Sequence, residues 1–256
     1  MGLAETLGFN LIPWTVQITA LIICVASGAG FVMHSRRVDK PVLDLSLLKL
    51  KTFRASVTGG TLVRMGIGAT PFLMPLLVQI AMGWSALQAG FLMVGIAVGA
   101  LASRPLAARM MRMFGFRTIL VWTAILVGIL SAAPGLFRDG TSPILMFIAL
   151  AAGGFARATQ FTASNALSFV EVDQKTVTSA STLSAVMLQL SISTGITVGS
   201  LALQLVRIGA GPVLKPEQFT LPFCVVGVLS AAAALIYARL PRDVGSDMTG
   251  HRRARA

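Results

Sequence analysis

The sequence predicts an all-α integral membrane protein with seven transmembrane helices. Three observations carry that reading. Apolar side chains make up 55% of the 256 residues, too many for a soluble domain of this size to bury. Seven apolar stretches, at 11–33, 54–82, 86–108, 117–137, 143–169, 178–206 and 219–239, are each long enough to cross a membrane. A hydrocarbon core of about 30 Å takes ~20 residues at a helical rise of 1.5 Å. Finally, the lysines and arginines gather in every second connection.

The basic residues set the topology. Arg36, Arg37, Lys40, Lys49, Lys51 and Arg54 precede the second stretch, and Arg104, Arg109, Arg112 and Arg117 lie between the third and fourth. Lys175 follows two stretches on, and Arg239, Arg242, Arg252, Arg253 and Arg255 form the tail, against only Arg138, Arg207 and Lys215 opposite. Short basic loops stay cytoplasmic, so the expectation is a multi-pass protein of the cytoplasmic (inner) membrane with its C-terminus inside and Met1 outside. The net charge of +12 is then divided among loops on one side of a bilayer, facing anionic lipid headgroups rather than nucleic acid.

In chain order, residues 1–33 hold an external N-terminus and the first helix. Residues 1–10 contain Glu5 and no basic residue, so there is no signal-peptide n-region, and the start reads more naturally as an internal piece of a longer membrane protein. Residues 34–53 read as a cytoplasmic interfacial linker: from Pro41 to Phe53 apolar and polar residues alternate, leucines toward lipid and lysines toward headgroups. Residues 54–239 form a six-helix bundle, and 240–256 a basic cytoplasmic tail. The turns at Gly83-Trp84-Ser85 and Arg138-Asp139-Gly140-Thr141 are short, which predicts consecutive helices packed as antiparallel neighbours.

Pro71 and Pro75 each remove a backbone donor inside the second stretch and invite a kink. Gly95, Gly99 and Ser103 share one face of the third stretch, and Ser191, Gly195 and Gly199 one face of the sixth. Small residues four apart let backbones approach, as a static seam or a sliding one. Cys24 and Cys224 fall within apolar stretches and are expected to be free, buried thiols.

Candidate functional residues come from polar groups where lipid forbids them. Arg64 and Arg157 lie near the midplane, where a charge costs about 3 to more than 10 kcal/mol unless it meets a partner or a water-filled cavity. Arg157, Gln160, Ser164 and Asn165 share a helical face. So do Thr182, Gln189, Ser193, Thr197 and Gln204, and a third face holds Thr61, Arg64, Gly68, Pro71, Pro75 and Gln79. Three such faces read as one hydrated path or as interhelical hydrogen-bonding glue. All nine acidic residues and both histidines lie in or beside loops and tails, which argues against an embedded enzyme, a metal site and a proton relay within this chain.

Three segments resemble a known family. Pro41-Val42-Leu43-Asp44-Leu45 through Thr52-Phe53 resembles the "PLLDLxLFxxRTF" that opens a ninth helix in fourteen-helix drug:proton antiporters of the major facilitator superfamily, EmrB/QacA type. Gly83-Trp84-Ser85-Ala86-Leu87-Gln88-Ala89-Gly90 resembles its "GYSALQAG" turn, and Pro105-Leu106-Ala107-Ala108-Arg109 with Phe114-Gly115-Phe116-Arg117 resembles its "PLAGRLxDRFGxR" loop. Gly153-Gly154-Phe155-Ala156-Arg157 and Gln160-Phe161 look like its twelfth helix. The resemblance implies the family's C-terminal half: one extra helix, matching the eighth, then a six-helix bundle.

It also implies a gating loop at Arg109, Arg112, Gly115 and Arg117, although the chain carries Arg112 and Met113 where the family has an acid and an arginine. Positive-inside topology accounts for the same arginines. The implied function is proton-coupled efflux of small amphiphilic organic compounds, without a cofactor, together with an N-terminal half in cis or trans. On this reading Arg64, Gln79, Arg157, Gln160, Asn165, Gln189, Ser193 and Thr197 line the path, and Gly95, Gly99, Gly195 and Gly199 pack helices. The alternative is a non-transporting membrane protein, a remnant or the assembly partner of another helical protein.

Overall fold

A computed structural model describes residues 45–174, 176–207 and 214–241, together with Thr19, Ile23, Ala26, Ser27 and Gly30. Within these residues six helices are long and apolar enough to cross a membrane. They are α1 (Lys51–Pro75), α2 (Ala86–Phe114), α3 (Phe116–Ala132), α4 (Pro143–Ser168), α5 (Val177–Arg207) and α6 (Thr220–Ala238). No strand occurs among the described residues. The seventh expected helix, at 11–33, lies outside them apart from the five isolated positions, which are helical and exposed.

Local sequence explains the helix ends. Beyond Pro75, whose ring displaces a ladder bond, the chain widens into a π-helical turn over Leu76–Ala81, closed by Met82 N–H donating to Leu77 O at 3.0 Å. Gly83 at φ +71° reverses direction. Ser85 and Gln88 then form a reciprocal capping box that starts α2. Pro143 occupies the first position of α4, where its missing N–H costs nothing.

The expected packing of consecutive helices holds for α3 and α4, joined through the turn at 138–141, but the most extended contacts join helices that are not consecutive. The extended contacts pair α2 with α4, α3 with α6, α1 with α5 and α6, and α3 with α4. A short turn holds two helix ends together but does not choose their faces; small residues do. A methyl group on Gly99 would overlap the Ala151 carbonyl on α4, and one on Gly195 would overlap the Met65 carbonyl on α1. Gly154 meets Ile96 and Gly68 meets Ile192 with the same intimacy, so both seams bring backbone against backbone from each side.

Two apolar clusters fill the bundle. One, around Leu120, Val127, Ala163 and Tyr237, lies toward the starts of α1 and α3; the other, around Leu73, Leu77, Met146, Phe219 and Phe223, lies toward the opposite end. The outward faces are apolar as well, in helical stripes such as Leu87, Phe91, Val94, Val98 and Leu101 on α2 and Trp122, Leu126 and Ile129 on α3. Cys224 is exposed on such a face of α6, not buried as expected; Cys24 lies outside the described residues.

Within the linker, Leu45–Lys49 forms a 3-10 turn. Leu47 packs with Phe53, Val57, Ala180 and Leu183 instead of entering lipid, because the bundle leaves an apolar corner between α1 and α5 for it. Lys49 and Lys51 stay exposed.

Candidate functional site

Two guanidiniums stand inside the bundle, Arg64 at 4% and Arg157 at 7% exposure. At 1.5 Å per residue each lies about 20 Å along its helix, near mid-membrane. They do not share an environment. Arg64 Nη2 donates to Asn165 Oδ1 across the α1–α4 seam at 3.4 Å, a long bond, and the guanidinium lies 5.7 Å from the centre of the Phe161 ring. Arg157 turns to α3, where Nη2 donates to Ser131 Oγ at 3.2 Å, while its Nε is sealed in the protein with no partner.

Gln160, one turn beyond Arg157, faces Thr123 on α3. The Thr123 hydroxyl already donates to Ile119 O at 2.5 Å and has one proton to give. The amide is therefore satisfied in the rotated form, with Nε2 donating to Thr123 Oγ1.

The polar face of α4 continues to a three-helix junction. Ser56 Oγ on α1 donates to Ser164 O at 2.6 Å and lies 2.6 Å from Ser168 Oγ. Tyr237 on α6, fully buried, brings its hydroxyl to 3.4 Å from Ser164 Oγ. Sequence reasoning stopped at Asn165 and missed Ser56, Thr123, Ser131, Ser168 and Tyr237. The available signals were the four-residue step from Ser164 to Ser168 and the chain's single tyrosine inside an apolar helix.

The expected polar face of α5 does not join this interior. Gln189, Ser193 and Thr197 are exposed on α5, on the side opposite the buried Ser191, Gly195 and Gly199. A helix with one small face and one polar face packs the small face inward, because only it allows the α1 backbone to approach. Gln79 is also exposed, on the wide turn after α1.

Of the expected gating residues, Arg109 and Arg112 lie exposed on the last turns of α2, which runs to Phe114. Gly115, at φ +78°, is the whole connection to α3. Arg117 donates to Ala238 O at 2.7 Å, satisfying a terminal carbonyl of α6. Nearby, the Glu171 carboxylate accepts from Thr52 N–H at 3.2 Å and caps α1, whose own preceding residue, Leu50, offers no cap.

Comparisons place this architecture. The sequence profile of the Major Facilitator Superfamily matches residues 57–254. Proteins called MdtD, named for multidrug resistance, are similar along most of the chain. That of Serratia proteamaculans (strain 568) is 27% identical over 230 residues, covering 88% of this chain and 48% of that protein. The Enterobacter sp. (strain 638) protein is 26% identical over 245 residues, 92% of this chain and 51% of its own length. The Escherichia coli (strain SE11) protein is 27% identical over 264 residues, spanning 100% of this chain and 55% of its own. The chain thus spans about half the length of the curated relatives it matches. With six membrane-length helices and a profile match over most of its residues, the chain belongs to the major facilitator superfamily.

Proposed function

We propose that the chain is the C-terminal part of a fourteen-helix drug:proton antiporter of the EmrB/QacA type, which exports small amphiphilic organic compounds across the cytoplasmic membrane. It comprises one preceding helix at 1–33, a linker at 34–53, the bundle at 54–239 and a cytoplasmic tail, with the N-terminus external. The protein moves molecules and transforms none.

The observation that carries this reading is the outward polar stripe of α5. Gln189, Ser193 and Thr197 lie exposed on a helix of membrane-spanning length; Thr197 donates back to Ser193 O at 3.1 Å, but lipid would leave the Gln189 amide and the Ser193 hydroxyl without outside partners. A second helical bundle across a hydrated cleft satisfies them, and alternating access needs just such a pair. The motif resemblances and the half-length match to the MdtD proteins support the same arrangement.

In this reading Arg64, Arg157, Gln160 and Asn165 form one wall of the path, while Gln79 and the α5 stripe border the cleft. Arg109, Arg112, Gly115 and Arg117 form its cytoplasmic gate. Among the described residues the carboxylates, Asp139, Glu171, Asp173 and Glu217, all lie in connections. Proton coupling therefore resides in the second bundle, supplied in cis or in trans.

The test is dye accumulation in cells stripped of their own efflux pumps, expressing the chain with a cognate N-terminal bundle. Arg157→Ala is expected to abolish efflux while leaving the amount of membrane-inserted protein unchanged. Efflux that persists in that variant counts against the assignment.

A further inference from the structure

We infer that Arg64, with Asn165, receives the anionic group of an amphiphilic organic anion, so that this wall of the path selects for a carboxylate or similar oxyanion beside an apolar body. The inference deepens the transport reading, on which it rests for movement of the ligand but not for binding.

The first argument is charge. Among the described residues the six membrane helices carry no aspartate or glutamate, and the one ion pair joins Arg138 to Glu217 in the connections. Arg64 and Arg157 therefore leave the interior positive, a field that repels organic cations and draws anions.

The second argument separates the two arginines. Arg157 has its Nε walled in by protein, and the groups beside it, Ser131 and Gln160, are themselves fully buried. No nitrogen of Arg64 or Asn165 is sealed in that way. The seam beside Arg64 is open: Phe161 is 37% exposed and Asn165 is half-buried.

The third argument is donor geometry. A guanidinium has five N–H donors, and Arg64 uses one, in a 3.4 Å bond to a neutral amide oxygen. Because Asn165 turns its oxygen to Arg64, its NH2 is left as a further donor. A cluster offering only donors fits an oxyanion, which a planar guanidinium grips through two parallel bonds. The Phe161 ring beside it offers apolar surface to the rest of the molecule. Lipid headgroups do not compete, since Arg64 lies about 20 Å from the start of α1.

The experiment uses the full chain in phosphatidylcholine nanodiscs, titrated with pyrenebutyrate and with its uncharged methyl ester, each corrected for empty nanodiscs. The acid is expected to bind about tenfold more tightly than the ester, equivalent to about 1.4 kcal/mol. Arg64→Gln should erase the preference and Arg64→Lys should keep part of it. Asn165→Asp, which sets a carboxylate beside the guanidinium without changing volume, should also erase it. Equal binding of acid and ester by the wild-type chain, or an undiminished preference in Asn165→Asp or in folded Arg64→Gln, overturns the inference. Loss of efflux with the acid preference intact removes the transport reading alone. Efflux with no acid preference removes this inference alone.

Discussion

Ser56 and Ser168 bring their hydroxyl oxygens to 2.6 Å across 112 positions of sequence, tying the first turns of α1 to the last turn of α4. Ser164 joins the same contact from α4 and Tyr237 reaches it from α6, so three helices meet at one buried polar point. Hydroxyls that satisfy one another between helices hold those helices in register.

Removing Ser56 should loosen that register. Ser56→Ala deletes the donor to Ser164 O and leaves the Ser168 hydroxyl with fewer partners in a sealed site. The expected loss is about 1–2 kcal/mol. Thermal unfolding in mild detergent reads it as a lower Tm, and an unchanged Tm would show that the junction contributes nothing.

The backbone seams should tolerate even less. Gly195→Val places a branched side chain against the Met65 carbonyl, which belongs to the α1 backbone and cannot swing aside. Gly90 on α2 has open space around it. Gly195→Val is therefore expected to cost about 3 kcal/mol or more and to yield aggregated protein on size-exclusion chromatography. Gly90→Ala should gain up to about 1 kcal/mol through helix propensity.

Replacing the α5 stripe separates packing from function. Gln189→Leu, Ser193→Ala and Thr197→Val together change only exposed side chains, so bundle stability should stay within about 0.5 kcal/mol of the wild type. Efflux by the assembled two-bundle protein should fall at least about tenfold, since the cleft loses its polar lining. A stability loss without an effect on efflux would assign the stripe to packing instead.

Much of this was legible in the chain, in proportion to how local the physics is. The start of α2 follows from Ser85 and Gln88 three residues apart, and the depth of Arg64 and Arg157 follows from counting. Partners were not legible. Thr123 and Ser131 sit in an apolar run whose neighbours give no polar period, so nothing marked them until Gln160 and Arg157 came within reach. The direction of α5 was hidden for a different reason: Gly195 and Gln189 each define a plausible inner face, and only the approach of α1 decides between them. Helix pairing was hidden because turns of a few residues constrain ends and leave faces free.

The length of α2 has a mechanical consequence. Its 29 residues reach about 44 Å at 1.5 Å each, well beyond a 30 Å hydrocarbon core. The surplus, one ladder bond short at Pro105, carries Arg109 and Arg112 outward as a rod, and Gly115 fastens that rod to α3 by a single residue. Any tilt of α2 against α4 about the Gly99 contact is thus magnified where those two charges stand. A thinner or thicker bilayer, by changing the tilt that accommodates the rod, would shift where they rest among the headgroups.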